Sequence, residues 1–460
     1  MIAYFDIETN GLYHEVTQGH CMVIKIVDKV EDTEGETLKY RHHEGVHEGA
    51  LKLLSVLQQG GLIIGHNIID YDIPVLEKLY SDVKFERKYR SQIFDTLVLT
   101  QALFGDIGVK DIGLCKVGRL PAALKGRQSL EAWGYRLGEL KGTYGHQEDA
   151  WVKFSETMLD YNVQDVVVTE KLYKYLMANN WFPEAAIETE HKAQWLMAKQ
   201  GRNGFNFDKK KAEELAQELE IREAVLAAKL VAEIPEVPDK VFIPKRDNKR
   251  LGYVAGVAVQ KFKDFNPRSR QQLEWVIREH FKYTPDNTDL YEGERLKVDG
   301  ETFEYLKEDP KAPEKLRSLA GIMDEYLNVS KILGMVKTGK GAWLRYYRED
   351  TGCIHGRVNP CGTVTGRATH SSPNVAQVPR KGALMGEECR SLFTVPKGWV
   401  QAGIDASGLE LRCLAHFMYP YDNGAYAHEI LNGDIHTANQ LAAGLPTRDN
   451  AKTFDFNRGL

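Results

Sequence analysis

Apolar and polar positions follow two different periods along this chain. Residues 2–7 (Ile-Ala-Tyr-Phe-Asp-Ile) and 62–64 are short apolar runs whose side chains alternate between opposite faces, the period of a β-strand. The pattern over 156–177 predicts a helix, so residues 1 to about 175 read as alternating strands and helices. The stretch 188–233 is rich in Ala, Leu, Glu and Lys and predicts long helices. Pro235, Pro238 and Pro244 then interrupt the pattern, and Gly252, Tyr253, Gly256 and Phe262 are interleaved with charge, so 239–270 reads as a loop region. Helices resume over 269–281 and 315–333. From Ala342 the pattern is one of strands and turns, until helices return after Leu409.

Composition narrows the class. A chain of 460 residues exceeds one compact core and predicts two to four domains. With 43% hydrophobic and 27% charged residues it is ordinary globular material. No apolar run approaches the roughly 20 residues that span a bilayer, and the first residues lack the basic and apolar regions of a signal peptide. The six cysteines form no CxxC pair and no zinc-ligand spacing, which fits reduced thiols. A soluble protein of the cytoplasm, with no membrane partner, is expected. The net charge of −5 excludes a uniformly basic DNA coat, but not local DNA contacts. The window 239–270 is such a place, with nine Lys/Arg against three Asp.

Three groups carry candidate chemistry in the first third of the chain. In Asp6-Ile7-Glu8-Thr9 the strand period projects Asp6 and Glu8 to one side, and Phe5 and Ile7 to the other. Adjacent carboxylates repel and gain nothing from proximity unless a cation lies between them. An edge strand showing its acids to solvent is the plainer alternative. In Asn67-Ile68-Ile69-Asp70-Tyr71-Asp72-Ile73-Pro74, Asp72 precedes a periodic apolar run and reads equally as a helix cap or a ligand, with Asp70 as a competing carboxylate. In Tyr161-Asn162-Val163-Gln164-Asp165 the i, i+4 spacing puts the tyrosine hydroxyl and the carboxylate on one helix face. That suits a buried Tyr–Asp hydrogen bond, or a tyrosine orienting water beside a metal-held aspartate.

In this order the groups resemble the motifs of DnaQ-like 3′→5′ exonucleases: Asp-x-Glu, Asn-x3-Tyr-Asp and Tyr-x3-Asp. The resemblance selects Asp72 over Asp70. It implies a two-metal site of Asp6, Glu8, Asp72 and Asp165 on an RNase H-like sheet, with Tyr161 positioning the attacking water. Every ligand is a hard oxygen, which favours Mg²⁺ or Mn²⁺, two per site, over zinc.

Downstream, Thr363-Val364-Thr365-Gly366-Arg367-Ala368-Thr369 and Asn374-Val375-Ala376-Gln377 read from composition as a polar hairpin loop. Asp405 ends an apolar strand and Glu410 lies on the following helix; a strand-end aspartate serves as a metal ligand or as a helix cap. Arg448 and Lys452, at i and i+4, put two cations on one helix face, either solvated or flanking an anion. Together with His436 these residues resemble family A (polymerase I-like) DNA polymerases, most closely the replicative enzymes of short-tailed, autographivirus-type bacteriophages. The resemblance implies DNA-directed DNA polymerase activity in viral DNA replication. Asp405 would be one of two metal-binding palm aspartates, and Glu410 would crowd the sugar 2′ position against ribonucleotides. His436, Arg448 and Lys452 would bind the incoming dNTP, and Arg367 and Gln377 would contact primer–template DNA. Lys245, Arg246, Lys249 and Arg250 of the basic window are suited to neutralising backbone phosphates.

After Phe454 the family pattern stops. Phe456 stands where the family has tyrosine, and neither the following Tyr-Gly nor the His-Asp-Glu palm signature appears in these residues. An interrupted reading frame is expected, with polymerisation only when a C-terminal polymerase fragment supplies the missing palm. The 235–265 stretch is shorter than the loop by which some relatives recruit thioredoxin, so thioredoxin is not carried over as a partner. The expected architecture is multidomain α/β and α. It comprises an RNase H-like 3′→5′ exonuclease domain (1–180), a mostly helical thumb (181–340), the N-terminal part of a polymerase I-like palm (341–430) and a truncated start of the fingers (431–460). The alternative is a non-catalytic DNA-binding remnant.

Overall fold

The alternation of the first residues is realised as the central strand of a five-stranded sheet in the computed structural model, which describes residues 1–142, 144–147, 149–179 and 181–448. The strands are β1 (Ile2–Thr9), β2 (Gly19–Val27), β3 (Glu36–Arg41), β4 (Leu62–Gly65) and β5 (Ile93–Asp95). Their spatial order is β3-β2-β1-β4-β5. Pairs β1–β2 and β2–β3 are antiparallel, while β1–β4 and β4–β5 are parallel. Around them lie α1 (His42–Gln58), α2 (Asp72–Leu79), α3 (Thr96–Leu103), α4 (Ile107–Lys116), α5 (Leu130–Leu137) and α6 (Glu156–Ala178).

Both faces of β1 are covered. Ala3, Phe5 and Ile7 join Met22 and Ile24 in a core with Val46, Ala50 and Leu53 of α1. Ile2 and Tyr4 join Val23 and Ile64 in a second core with Met158, Leu159 and Val166 of α6. Even-numbered positions of β1 therefore face α6, and Asp6 and Glu8 continue that row. The start of α6 is fixed by Ser155, whose hydroxyl accepts from the Met158 N–H at 3.1 Å.

Further along, α7 (Glu184–Asn203) leads through β6 (Phe205–Asn206), paired with Cys353–Ile354, into α8 (Lys209–Glu233). Leu215, Leu219 and Leu226 of α8 share one core with Leu316, Leu319 and Met323 of the helix Glu314–Leu333. The basic window is not simply a loop. Strands β7 (Glu236–Phe242) and β8 (Val259–Asp264) pair antiparallel and carry the basic segment between them. The prolines hid this from the sequence, because a proline cannot donate to a ladder. Pro235 and Pro244 lie outside β7, and Pro238 falls where its register shifts.

Val395 begins a second compact unit. Its described residues form the helices Leu409–Asp422, Ala425–Asn432 and Ile435–Ala443. The strand expected to end at Asp405 is not formed: 400–405 have no regular structure, and Asp405 is exposed. An apolar run becomes a strand only beside a partner that takes up its N–H and C=O groups, and no strand occurs among the described residues of this unit. Lys452 and Phe456 lie outside the described residues. Among the described residues no helix is long and apolar enough to cross a membrane.

Candidate active site

The sheet and α6 bring together three of the predicted carboxylates. Oxygens of Asp6, Glu8 and Asp165 all lie within 4.8 Å of one another. Their convergence follows from the strand period on β1 and from the helical spacing that turns Asn162 and Asp165 towards the sheet. Asn162 is fully buried, and its amide donates to Asp6 Oδ2 at 2.6 Å. Asp165 is buried as well, and its Oδ1 has no hydrogen-bond partner.

Asp72 is buried but lies outside that triplet. It is not a cap: Tyr71 holds the cap position without a side-chain cap bond, and Asp72 is the first residue of α2. Its charge still raises the pKa of Asp6. Asp70 is turned to another partner, pairing with Arg357 at 3.2 Å. The loop between β4 and α2 is held from below by Asp95, which accepts from the N–H groups of Asn67 (2.7 Å) and Ile69 (3.0 Å). Asn67 has φ +70°, a left-handed conformation that asparagine tolerates well. The Tyr71 hydroxyl donates to the Gly11 carbonyl at 2.6 Å, tying this loop to the end of β1.

Two contributors escaped the sequence reading. Asn162 stood inside a quoted motif without a role. Lys141 carried no signal at all, because it follows Gly138, which ends α5 at φ +68°, in a segment without periodicity. Its ammonium lies 2.6 Å from Asp165 Oδ2 and 4.7 Å from the centre of the Tyr161 ring.

Electrostatics mark the cluster as short of positive charge. Burial, then Glu8, Asp165 and Asp72, hold Asp6 well above the usual carboxylate range. Burial and Asp165 do the same to Glu8. Asp72 is pushed up to about 8 by burial and by Asp95. Asp165 rises only to about 6, because Lys141 offsets part of its burial. Burial alone would lower Lys141, but Asp165 and Tyr161 keep it above its ordinary value. The Tyr161 hydroxyl is pushed up to about 12 by burial and by Asp165, so it keeps its proton. Crowded hard oxygens, one buried and unpartnered, with a single ammonium among them, fit a divalent cation.

The other predicted residues are not gathered in this way. Arg367 lies in the exposed loop of a hairpin formed by Arg357–Asn359 and Thr369–Ser371. Gln377 is exposed at the end of a short 3₁₀ turn, and Lys245, Arg246, Lys249 and Arg250 are exposed between β7 and β8. Glu410 is exposed on the helix Leu409–Asp422, as expected, and His436 is half-buried on Ile435–Ala443. Arg448 forks onto Asp434, with Nε and Nη2 donating at 2.7 and 3.0 Å, so a carboxylate already faces that cation.

Comparison with known proteins finds two families along the chain. Residues 3–177 match the RNase H superfamily, and residues 247–457 match DNA polymerase family A. The DNA-directed DNA polymerase of Enterobacteria phage T3 is 40% identical over 537 aligned positions, covering 98% of this chain and 74% of the relative. That of Escherichia phage T7 is 40% identical with the same coverage. Both alignments are longer than the chain's 460 residues, so these relatives carry inserted stretches that it lacks. The thermostable DNA polymerase I of Thermus aquaticus is 30% identical over 154 residues, or 33% of this chain and 17% of that protein. Among solved structures, the POL domain of Pol1 from M. smegmatis, in complex with DNA primer-template and dNTP, superimposes with a TM-score of 0.59. It is 15% identical, and the match covers 98% of this chain and 67% of that one, a likeness of fold. Enzymes of both matched families work with divalent metal ions. The chain belongs to the family A DNA polymerases, of the kind found in phages T3 and T7, and carries an RNase H-like exonuclease domain in its N-terminal part.

Proposed function

We propose that Asp6, Glu8 and Asp165, with Asp72 beside them, form the active site of a 3′→5′ deoxyribonuclease that removes nucleotides from a DNA 3′ end. The observation that carries this reading is the triplet of carboxylates within 4.8 Å on one sheet face, one of whose oxygens is buried without a partner. These residues would hold two Mg²⁺ or Mn²⁺ ions. Such ions, when bound, supply Lewis-acid activation of water and stabilise charge on the leaving 3′ oxygen. The residues of the chain do the remaining work. Asn162 fixes the Asp6 carboxylate through its 2.6 Å hydrogen bond. Tyr161, protonated at neutral pH, donates to and orients the water that attacks phosphorus as the P–O3′ bond breaks. Lys141 sets a positive charge beside an anionic phosphodiester.

Polymerisation belongs to the second part of this reading. Asp405, Glu410, His436, Arg448 and Lys452 would serve the dNTP site, and Arg367 and Gln377 the primer–template. Nucleotidyl transfer needs a second palm carboxylate beside Asp405. We therefore assign primer extension to Asp405 acting with a second metal-binding carboxylate, that of the His-Asp-Glu palm motif. The 235–265 stretch is assigned to the DNA backbone rather than to thioredoxin, and the place of action to the host cytoplasm.

The test uses single-stranded DNA labelled at its 5′ end. With Mg²⁺ the chain should shorten it stepwise from the 3′ end, and Asp6→Ala with Glu8→Ala should cut the rate by orders of magnitude. Equal rates for the double variant would overturn the site, and no cleavage by the natural chain would favour a non-catalytic remnant.

A further inference from the structure

A cleft of about 560 Å³ opens over Asp6 and Asp165, and it is not built from the RNase H-like part alone. Its opposite wall is the hairpin of Arg357–Asn359 and Thr369–Ser371, which contributes Arg357, Asn359, Thr369 and Ser371. The hairpin is seated against the exonuclease part. A Cβ added at Gly105, just after α3, would lie 3.1 Å from both the Thr363 carbonyl oxygen and the Val364 Cα, closer than an ordinary contact, so the two backbones meet tightly there. Arg357 is anchored at the wall, donating to Asn67 Oδ1 at 3.1 Å and pairing with Asp70 at 3.2 Å. Its side chain nevertheless remains 53% exposed.

Charge in the cleft is graded with depth. The acids Asp6, Asp95 and Asp165 are buried or half-buried, whereas the cations Arg127 and Arg357 that line the same cleft are exposed. A nucleic-acid strand needs this polarity: arginines for the phosphates outside, and carboxylates for metal around the one phosphodiester that is cut. Arg357 can serve Asp70 and a phosphate together, because a guanidinium has five N–H donors and both contacts seen use Nη2. The same hairpin carries Arg367 at its turn, so one element reaches from the assigned duplex contact to the cutting site.

We propose that the 357–371 hairpin is the far wall of the single-strand channel, and that Arg357, with Arg127 opposite, grips the backbone of the strand entering it. This rests on the exonuclease reading. It assigns to a hairpin of the polymerase part the holding of a frayed 3′ end.

The test separates holding from cutting. Binding of fluorescent oligo(dT) is measured by anisotropy in chelator over a range of salt. Hydrolysis is measured on an oligonucleotide and on the p-nitrophenyl ester of thymidine 5′-phosphate, which is too small to reach the wall. Arg357→Ala should weaken oligonucleotide binding about tenfold, as expected for losing a charged hydrogen bond. It should flatten the salt slope by about 0.7, the value for one phosphate contact on a single strand. KM for the oligonucleotide should rise at constant kcat, ester hydrolysis should not change, and Arg357→Lys should restore most of the binding. Asp70→Asn, which breaks the same ion pair but keeps the arginine, should bind at least as tightly as the natural chain. An unchanged salt slope in Arg357→Ala, or equal weakening in Asp70→Asn, would overturn the proposal. If the natural chain cuts neither substrate, the exonuclease reading fails while the anisotropy arm still decides the wall.

Discussion

Lys141→Met isolates the charge deficit on which the active-site reading depends. The lysine and Asp165 are a buried pair, with side-chain exposures of 15% and 5% and a separation of 2.6 Å. Removing one partner of such a pair costs about 3–5 kcal/mol, because it strands the other charge. The low end, about 3 kcal/mol, applies in chelator, since Asp165 can take up a proton instead of staying ionised. The unit Met1–Thr394 holds Lys141; at about 2.1 cal/mol/K of unfolding entropy per residue it shifts by about 1.2 °C per kcal/mol, so the melting temperature should fall by about 4 °C. A bound divalent cation takes over the role of the ammonium, so with saturating Mn²⁺ the loss should shrink to about 1 kcal/mol or less. The cycle then closes only if Mn²⁺ binds the variant more tightly by about 2 kcal/mol, roughly 30-fold. Melting in chelator and in Mn²⁺, with Mn²⁺ affinity from the EPR signal of the free ion, measures all three quantities. Equal destabilisation with and without Mn²⁺, or unchanged affinity, would refute the reasoning and leave Lys141 as ordinary structural support.

Four further outcomes are expected. The raised carboxylates set a sign for pH: with folded pKa values of about 6 for Asp165 and about 8 for Asp72, against 3.8 for each unperturbed, their stabilising contribution is complete below about pH 4. It is lost as pH rises to 8 in chelator, so the Mg²⁺-induced rise in melting temperature should grow from pH 5 to pH 8; a flat difference would count against the cluster. Mismatched 3′ ends should be removed faster than matched ones on the same duplex, because pairing there is already lost; the reverse order would contradict entry as a single strand. Reversing Lys245, Arg246, Lys249 and Arg250 to Glu should weaken duplex binding uniformly across sequences and flatten its salt slope, and an unaltered slope would reassign the basic segment. In a protein that joins these residues to the His-Asp-Glu palm motif, primer extension should vanish with Asp405→Ala; extension insensitive to that change would place the metal site elsewhere.

What could be read from the sequence was what depends on local periodicity. Asp6 and Glu8 share a face because a strand has period two, and the helix expected over 156–177 runs as Glu156–Ala178 with Asp165 turned inward. Long-range partners left no such trace. Lys141 reaches Asp165 from an irregular segment, and Arg448 meets Asp434 across a turn, so neither contact follows from spacing. Asp405 shows the opposite error: an apolar run suggested a strand, but a strand is a relation between two segments. The β7–β8 hairpin was masked by prolines that sit outside it or at its irregularity. Asp72 is not the cap that its place before an apolar run suggested, and it lies beside the tight triplet rather than within it.

The most direct test of the central claim is anomalous diffraction at the manganese edge from crystals of the natural chain soaked in Mn²⁺. The account predicts a strong peak among the carboxylates of Asp6, Glu8 and Asp165, with the Lys141 ammonium withdrawn from Asp165, and no peak there in crystals of Asp6→Ala with Glu8→Ala. Manganese bound elsewhere, with Lys141 still paired to Asp165 in the soaked crystal, would contradict it.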